Sequence, residues 1–411
     1  MVDQRRIDDQ RWIDSAAAAK LLGIQQRTLY AYVSRGAVRS MPGARGRPRL
    51  YAIADLERLR ARQQARSGHA AVAAGALRWG EPVLDSAITA ITTRGAAYRG
   101  HLATDLAANG TPYENVAELL WSGYLPPTHV VWPRSAVPFA ALGRLVGSTA
   151  QPLDVMPLLV QIAAMQDPNR ADRRPDAFIS RGRQLIPLLA SALAPGFAAA
   201  TVTRALGAGS VATIAARALG LDDAAAAGID VALVLLADHE LNASSFTARV
   251  TASTDADPYA CVASAIATLS GPKHGSASEE VARFADQIGG PDAARAAVRA
   301  LGKKGQVPPG FGHPLYPNGD PRFAPLLALA AKSTNRHART IVAIAEATSA
   351  AEPNVDVGLA AFVASLGAAP SAATGLFAVA RSAGWLAHAI EQRAAGFLLR
   401  PRARYTGVAV S

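Results

Sequence analysis

The chain has 411 residues, enough for two or three domains with substantial cores, and carries 42 Lys/Arg against 31 Asp/Glu for a net charge of +11. Its single cysteine, Cys261, excludes a disulfide framework and a cysteine-based metal site. The start, MVDQRRIDDQRW, lacks the apolar run of a signal peptide, and the uncharged stretches 184–203 and 357–380 are interrupted by Pro187, Pro195 and Pro370. A cytoplasmic protein with buried helices and no membrane span is therefore expected.

The charge is uneven. Residues 1–66 hold fourteen Lys/Arg and six Asp/Glu, so net +8 sits in the first sixth of the chain. Within it, Asp14 and Ser15 precede AAAAKLLG, a short helix closed by Gly23, and QQRTLYAYVSRG supplies a second helix ending near Gly36. Helix, glycine turn and helix form a helix-turn-helix, with Gln26, Arg27, Thr28 and Tyr30 near the start of the second helix, where base edges or phosphates would lie. The Gly/Pro/Arg segment with Arg45, Arg47 and Arg49 reads as a wing, and a third helix is expected from about Ala54. Residues 1–66 resemble the winged helix-turn-helix of the MerR and excisionase type, which implies binding of duplex DNA. A protein-interaction module that keeps this fold without DNA affinity is the alternative.

Residues 67–80 read as a linker. Beyond them Ala and Leu dominate, apolar residues recur at three and four, and no Walker or Rossmann fingerprint occurs, so residues 81–411 are expected to be all-α. Four segments carry candidate chemistry. In ADHELNASSF, His239 follows an apolar run beside Asp238 and Glu240, as a helix-terminal imidazole would. In GPKHGSASEE, His274 is fixed after a Gly-Pro turn. KKGQVPPGFGHPLYPNGDPRF is a rigid loop that presents His313 and Arg322. In EPNVD, Asp356 opens a long uncharged run, where it either caps a helix or is held partly desolvated as a base. Arg381 and Arg400 add guanidinium forks suited to paired carboxylates.

GPKHG, GFGH and PNVD, with the YRG and VAELLWSGYLP segments between Arg94 and Pro126, resemble the citrate synthase family over about residues 81–411. The resemblance implies an all-α fold with a smaller subdomain near 276–368 that closes over the larger one. It also implies an obligate homodimer and no metal or other cofactor. The implied reaction condenses acetyl-CoA with oxaloacetate: Asp356 is the base, His274 and His313 stabilise the enol and the ketone oxygen, and His239, Arg322, Arg381 and Arg400 bind substrate. Arg400, or the nearby Arg402, would reach in from the partner subunit. Departures occur at Lys273, Ser276 and Ser278, where Leu, Gly and Asn are common, and at Pro317, where a basic residue often meets a CoA phosphate. Lys303 and Lys304 are possible substitutes for that contact. Two further readings follow: 2-methylcitrate formation from propionyl-CoA, and a transcriptional regulator whose second domain senses a metabolite.

Overall fold

The computed structural model describes residues 12–34, 38–43, 49–53, 55–56, 59, 84–133, 142–403 and 405–408. The chain divides into two compact units, residues 1–85 with 400–411, and residues 86–399.

In the first unit β1 (Trp12–Asp14) leads into α1 (Ser15–Leu22), α2 (Gln26–Ser34), β2 (Ser40–Met41) and β3 (Leu50–Ala52). Asp14 caps α1 by accepting the Ala16 and Ala17 amides at 3.0 and 2.8 Å, and Gly23, at φ +64°, closes it in the left-handed region a side chain disfavours. The strands form an antiparallel sheet in the order β1-β3-β2, with Trp12 opposite Ala52 and Ser40 opposite Tyr51. Ala18, Leu22, Leu29, Val38, Tyr51 and Leu56 fill a small core. The β2–β3 ribbon is anchored by Arg39, which forks onto Asp55 at 2.8 and 3.0 Å. The tip of the expected wing, with Arg45 and Arg47, lies outside the described residues, as do the 67–80 linker and most of the third helix.

The second unit opens with an antiparallel meander, β4 (Thr89–Thr92), β5 (Gly95–Tyr98) and β6 (His101–Leu102), whose shortness hid it from a search for alternating runs. The helices that follow are α3 (Ala103–Ala108), α4 (Tyr113–Ser122), α5 (Leu142–Leu145), α6 (Pro152–Gln166), α7 (Pro175–Ser191), α8 (Ala199–Leu206), α9 (Val211–Ala218), α10 (Ala226–Leu236), α11 (Ala243–Ala252) and α12 (Pro258–Leu269). The chain continues through α13 (Ala277–Ile288), α14 (Pro291–Gly302), α15 (Phe323–Ala330), α16 (Arg336–Ala347), α17 (Val355–Ser365) and α18 (Ser371–Ala395).

The larger core forms around α18. This 25-residue helix is buried on all sides over most of its length because α4, α7, α10, α11 and α12 pack against it. A second core is contributed by α13 to α17, with Val281, Ala285, Ile341, Ile344, Val357 and Ala361 at its centre and Phe311 reaching in from the loop before α15. The uncharged stretch 184–203 runs along α7, through Pro187 inside that helix, and into α8, whereas 357–380 is broken between α17 and α18. Among the described residues no helix is long and apolar enough to cross a membrane.

Candidate active site

The site is built where four chain reversals meet: the exits of α10 and α12, the loop before α15, and the entry to α17. Leaving α10, the backbone enters the left-handed region at Glu240, with φ +56°, and this turns His239 inward, where it is buried. Asn242 then caps α11 by accepting the Ser245 amide at 2.9 Å. Between α12 and α13, His274 is set by a turn in which its amide donates to the Gly271 carbonyl at 2.9 Å. Gly275 has no alternative here, since a Cβ would lie 2.2 Å from the Leu269 carbonyl oxygen.

The loop carrying His313 is stitched to the segment before α17. Gly312 donates to the Glu352 carbonyl at 2.7 Å, Asn354 to that of Gly310 at 2.9 Å, and Phe311 bridges to Pro353. Gly310, at φ +81°, must also stay small, because a Cβ would meet Val357 and Val281 at 2.6 and 2.7 Å. His313 Nδ1 accepts the Leu315 amide at 3.2 Å, which fixes the neutral tautomer and leaves the proton on Nε2. The His313 ring stands edge-on to His239, with centroids 5.5 Å apart, and lies 5.1 Å from Tyr316. Tyr316 Oη in turn hydrogen-bonds His239 Nε2 at 2.8 Å.

His274 Nε2 lies 2.8 Å from Ser244 Oγ, which also accepts Trp385 Nε1 at 3.0 Å and sits 2.9 Å from Asn242 Oδ1. The hydroxyl has one proton, so it serves either His274 or Asn242. When it donates to His274 Nε2, the imidazole proton sits on Nδ1.

Asp356 does not cap α17. That role belongs to Asn354, whose side chain accepts the Asp356 amide at 2.9 Å. The Asp356 carboxylate, half-buried in the first turn, accepts the Ser278 hydroxyl at 2.7 Å through Oδ1. Burial pushes its pKa above the usual carboxylate range, opposed by the Ser278 hydrogen bond and by Arg322.

Two guanidiniums are buried alongside. Arg322 forks onto Asp320 at 2.9 and 2.7 Å and lies 5.6 Å from the Tyr316 ring centroid, while Asp320 also accepts the Val355 amide at 3.2 Å. Arg381, 1% exposed, donates Nε to the Leu236 carbonyl at 2.9 Å, and its Nη1 has no hydrogen-bond partner among the described residues. Burial brings its pKa down to about 10, so it stays charged at neutral pH. Behind it, Asp238 and His388 are both fully buried, 3.4 Å apart, and Gly384 packs so closely that a Cβ would fall 2.2 Å from Asp238 Oδ1.

Burial and these positive charges act together on the imidazoles. His274 is held down to about 4, chiefly by burial and then by Arg381; His239 and His313 are lowered by burial and by Arg322. Three neutral histidines lie beside two arginines, of which Arg322 is already paired with Asp320 while Arg381 keeps an Nη1 without a partner among the described residues, so the site can donate hydrogen bonds to an anionic reactant without giving up full positive charge.

Of the residues that the sequence motifs single out, His239, His313 and Arg322 come together around Tyr316, whereas His274, Asp356 and Arg381 are held by Ser244, Ser278 and the Leu236 carbonyl. Tyr316, Asp320 and Trp385 carried no motif signal, and Ser278 stood out only as a departure. Lys303, Lys304 and Pro317 are exposed. Arg400 and Arg402 are exposed and fall in the first unit, beyond Leu399. In that unit Gln26 and Tyr30 are exposed, Thr28 is half-buried, and Arg49 is exposed with its guanidinium donating to Ser40 Oγ at 3.0 Å. The Arg27 side chain, like Arg45 and Arg47, lies outside the described residues. No group of three His, Cys, Asp or Glu among the described residues could hold a metal ion.

The family model for the citrate synthase C-terminal domain matches residues 76–402. The chain belongs to the citrate synthase family. A second family model, that of the MerR helix-turn-helix regulatory proteins, matches residues 14–69, so this family member carries a MerR-type domain ahead of its citrate synthase region. Citrate synthase 2 of Bacillus subtilis is 42% identical over 184 residues, covering 43% of this chain and 50% of that protein, so this match spans about half the length of the relative. The 2-methylcitrate synthase 1 of Corynebacterium glutamicum is 30% identical over 345 residues, 76% of this chain and 89% of that protein. The crystal structure of citrate synthase from Thermotoga maritima superposes with a TM-score of 0.65 at 25% identity, covering 81% of this chain and 95% of that one. The citrate synthase of Thermoplasma acidophilum, solved as a ternary complex with carboxymethyl coenzyme A and oxaloacetate, gives 0.68 at 22% identity over 82% and 97%, and shares the fold.

Proposed function

We propose that the chain condenses acetyl-CoA with oxaloacetate to give citrate and CoA. The observation that carries this reading is a carboxylate, Asp356, that is freed from capping by Asn354, held by the Ser278 hydroxyl at 2.7 Å and set among the charges of the buried Arg322 and Arg381, with burial raising its pKa towards the range of a base. Asp356 takes a proton from the acetyl methyl. His274 hydrogen-bonds the thioester oxygen and stabilises the enol. The enol carbon attacks the ketone of oxaloacetate, His313 Nε2–H donates to the ketone oxygen, and water then cleaves the citryl thioester. Stabilising the developing oxyanion and supplying a matched base are each worth several kcal/mol of barrier, about 3–4 kcal/mol for a positioned donor.

Oxaloacetate is assigned to His239, Arg322 and Arg381, with Arg400 supplied by the second subunit of a homodimer. Arg381 Nη1, without a partner among the described residues, supports the carboxylate assignment, since a buried guanidinium N–H without an acceptor is costly. We further assign residues 1–66 to DNA binding, 67–80 to a linker and 81–411 to catalysis, with 276–368 as the closing subdomain, in a cytoplasmic enzyme. The test is thiol release with oxaloacetate and a panel of acyl-CoAs. Release with acetyl-CoA supports citrate formation, and preference for propionyl-CoA would favour 2-methylcitrate, as the Corynebacterium relative suggests. A protein that binds these ligands without turnover would favour the regulator, the reading that the MerR-type domain supports.

A further inference from the structure

Ser278 stands in the first turn of α13 and is 2% exposed, and its hydroxyl reaches the first turn of α17 to donate to Asp356 Oδ1 at 2.7 Å. The start of α13 is itself held. Thr374, at the start of α18, donates to Glu279 Oε1 at 2.6 Å and lies 3.2 Å from the Gly275 carbonyl. A buried hydroxyl on a fixed helix end, aimed at one oxygen of a carboxylate, restrains that carboxylate's rotation about its side-chain bonds and distinguishes Oδ2 from the oxygen that accepts the hydroxyl.

We infer that Ser278 is a positioning residue for Asp356, orienting its carboxylate so that Oδ2 receives the substrate proton; this rests on the proposed role of Asp356 as base. The hydroxyl also bears on acidity. The charged groups around Asp356 are Arg322 and Asp320 from the loop before α15 and Arg381 from α18, and the Ser278 hydrogen bond is the largest of the influences that hold the carboxyl down against burial. Without it the base protonates at higher pH.

Ser278 also borders a cavity of about 210 Å³ lined by Ala282, Ala360 and Ala364, so its replacement does not press on a tightly filled core. In the full-length protein, Ser278→Ala should lower kcat roughly ten- to a hundredfold, as for a lost hydrogen bond to a charged group, with KM for oxaloacetate little changed. The acid limb of the kcat profile should move to higher pH, and Ser278→Thr, which keeps the hydroxyl, should recover most of the loss. A merely structural serine would move neither the acid limb nor kcat selectively. Should the alanine variant fold poorly, Ser278→Cys keeps the shape with a weak donor and serves the same comparison. Wild-type kcat and an unmoved acid limb in the alanine or cysteine variant, with Asp356→Asn inactive, would overturn the role of Ser278 while keeping the base. Full turnover by Asp356→Asn would overturn both.

Discussion

His239 and Tyr316, 77 residues apart in sequence, are joined by a hydrogen bond of 2.8 Å between imidazole Nε2 and phenol Oη, inside a cluster that His313 completes edge-on. Tyr316 also stacks near Arg322, so its ring and hydroxyl serve different neighbours. Tyr316→Phe keeps the ring and deletes only the hydroxyl. The predicted result is a rise of about tenfold in KM for oxaloacetate with a stability loss of about 1–2 kcal/mol, read from steady-state kinetics and a denaturant midpoint. An unchanged KM would show that the hydroxyl does not position His239 for substrate.

Asp356→Asn separates base from scaffold more cleanly than the sequence suggested, because Asn354 already provides the cap. Turnover should fall by roughly two to four orders of magnitude, with the melting temperature almost unmoved and oxaloacetate binding intact. Asn354→Ala should do the reverse in stability, costing about 1 kcal/mol through the lost cap. A stable Asp356→Asn protein with near-normal turnover would remove Asp356 from the chemistry.

The three depressed imidazoles predict an acid sensitivity with a definite sign. The unfolded chain takes up protons near the ordinary imidazole pKa of 6.5, whereas folded His274 waits until about 4 and His239 and His313 are likewise lowered. Their contribution is therefore fully present above pH 6.5 and is lost as pH falls through that window. Asp356, raised by burial, works the other way but nearer the carboxylate range. The urea midpoint should drop between pH 7.5 and pH 5, and His274→Gln should flatten the drop. A midpoint independent of pH over that range would contradict the neutral state assigned to these residues.

Arg400→Ala should weaken oxaloacetate binding. Mixed with His313→Ala, it should yield heterodimers in which one site has both residues intact, recovering about half the activity if the arginine acts across the two-fold axis. Verified heterodimers without recovery would place Arg400 in its own chain's site or in none.

The MerR-type domain should bind duplex DNA with an affinity that falls steeply as salt rises, because phosphate contacts release counterions. Charge reversal at Arg49, exposed on the edge of the ribbon, should weaken it, and fluorescence anisotropy between about 50 and 200 mM salt reads the slope. Binding indifferent to salt, or none at micromolar protein, would favour a protein-interaction role.

Helical class was legible because residues 81–411 repeat apolar positions at three and four, and His274 and His313 were legible because each sits in a Gly- and Pro-fixed turn, whereas Asp356, in the first turn of α17, and Arg381, within α18, were legible only through the family resemblance of their segments. What escaped has a common cause. Tyr316 in PLYPN and Asp320 in NGDPR look like loop residues, and only three-dimensional folding brings the phenol to His239 and pairs the carboxylate with Arg322. Trp385 resembled one more apolar residue of α18 until its indole N–H met Ser244. The ambiguity at Asp356 arose because cap and base prefer the same place in sequence, and one preceding residue, Asn354, divides the two roles. The meander of Thr89 to Leu102 escaped because four-residue strands rich in alanine carry almost no alternating pattern.

The backbone bonds that join Gly310 and Gly312 to Asn354 and Glu352 make the His313 loop and the entrance of α17 one stiff hook. Any swing of this region that keeps those bonds carries the proposed proton donor and the proposed base together, like two teeth on one jaw, with their spacing preset before a reactant arrives. His239, just beyond α10, and Arg381, on α18, lie outside that hook, so what a swing would adjust is the gap between them and the two teeth.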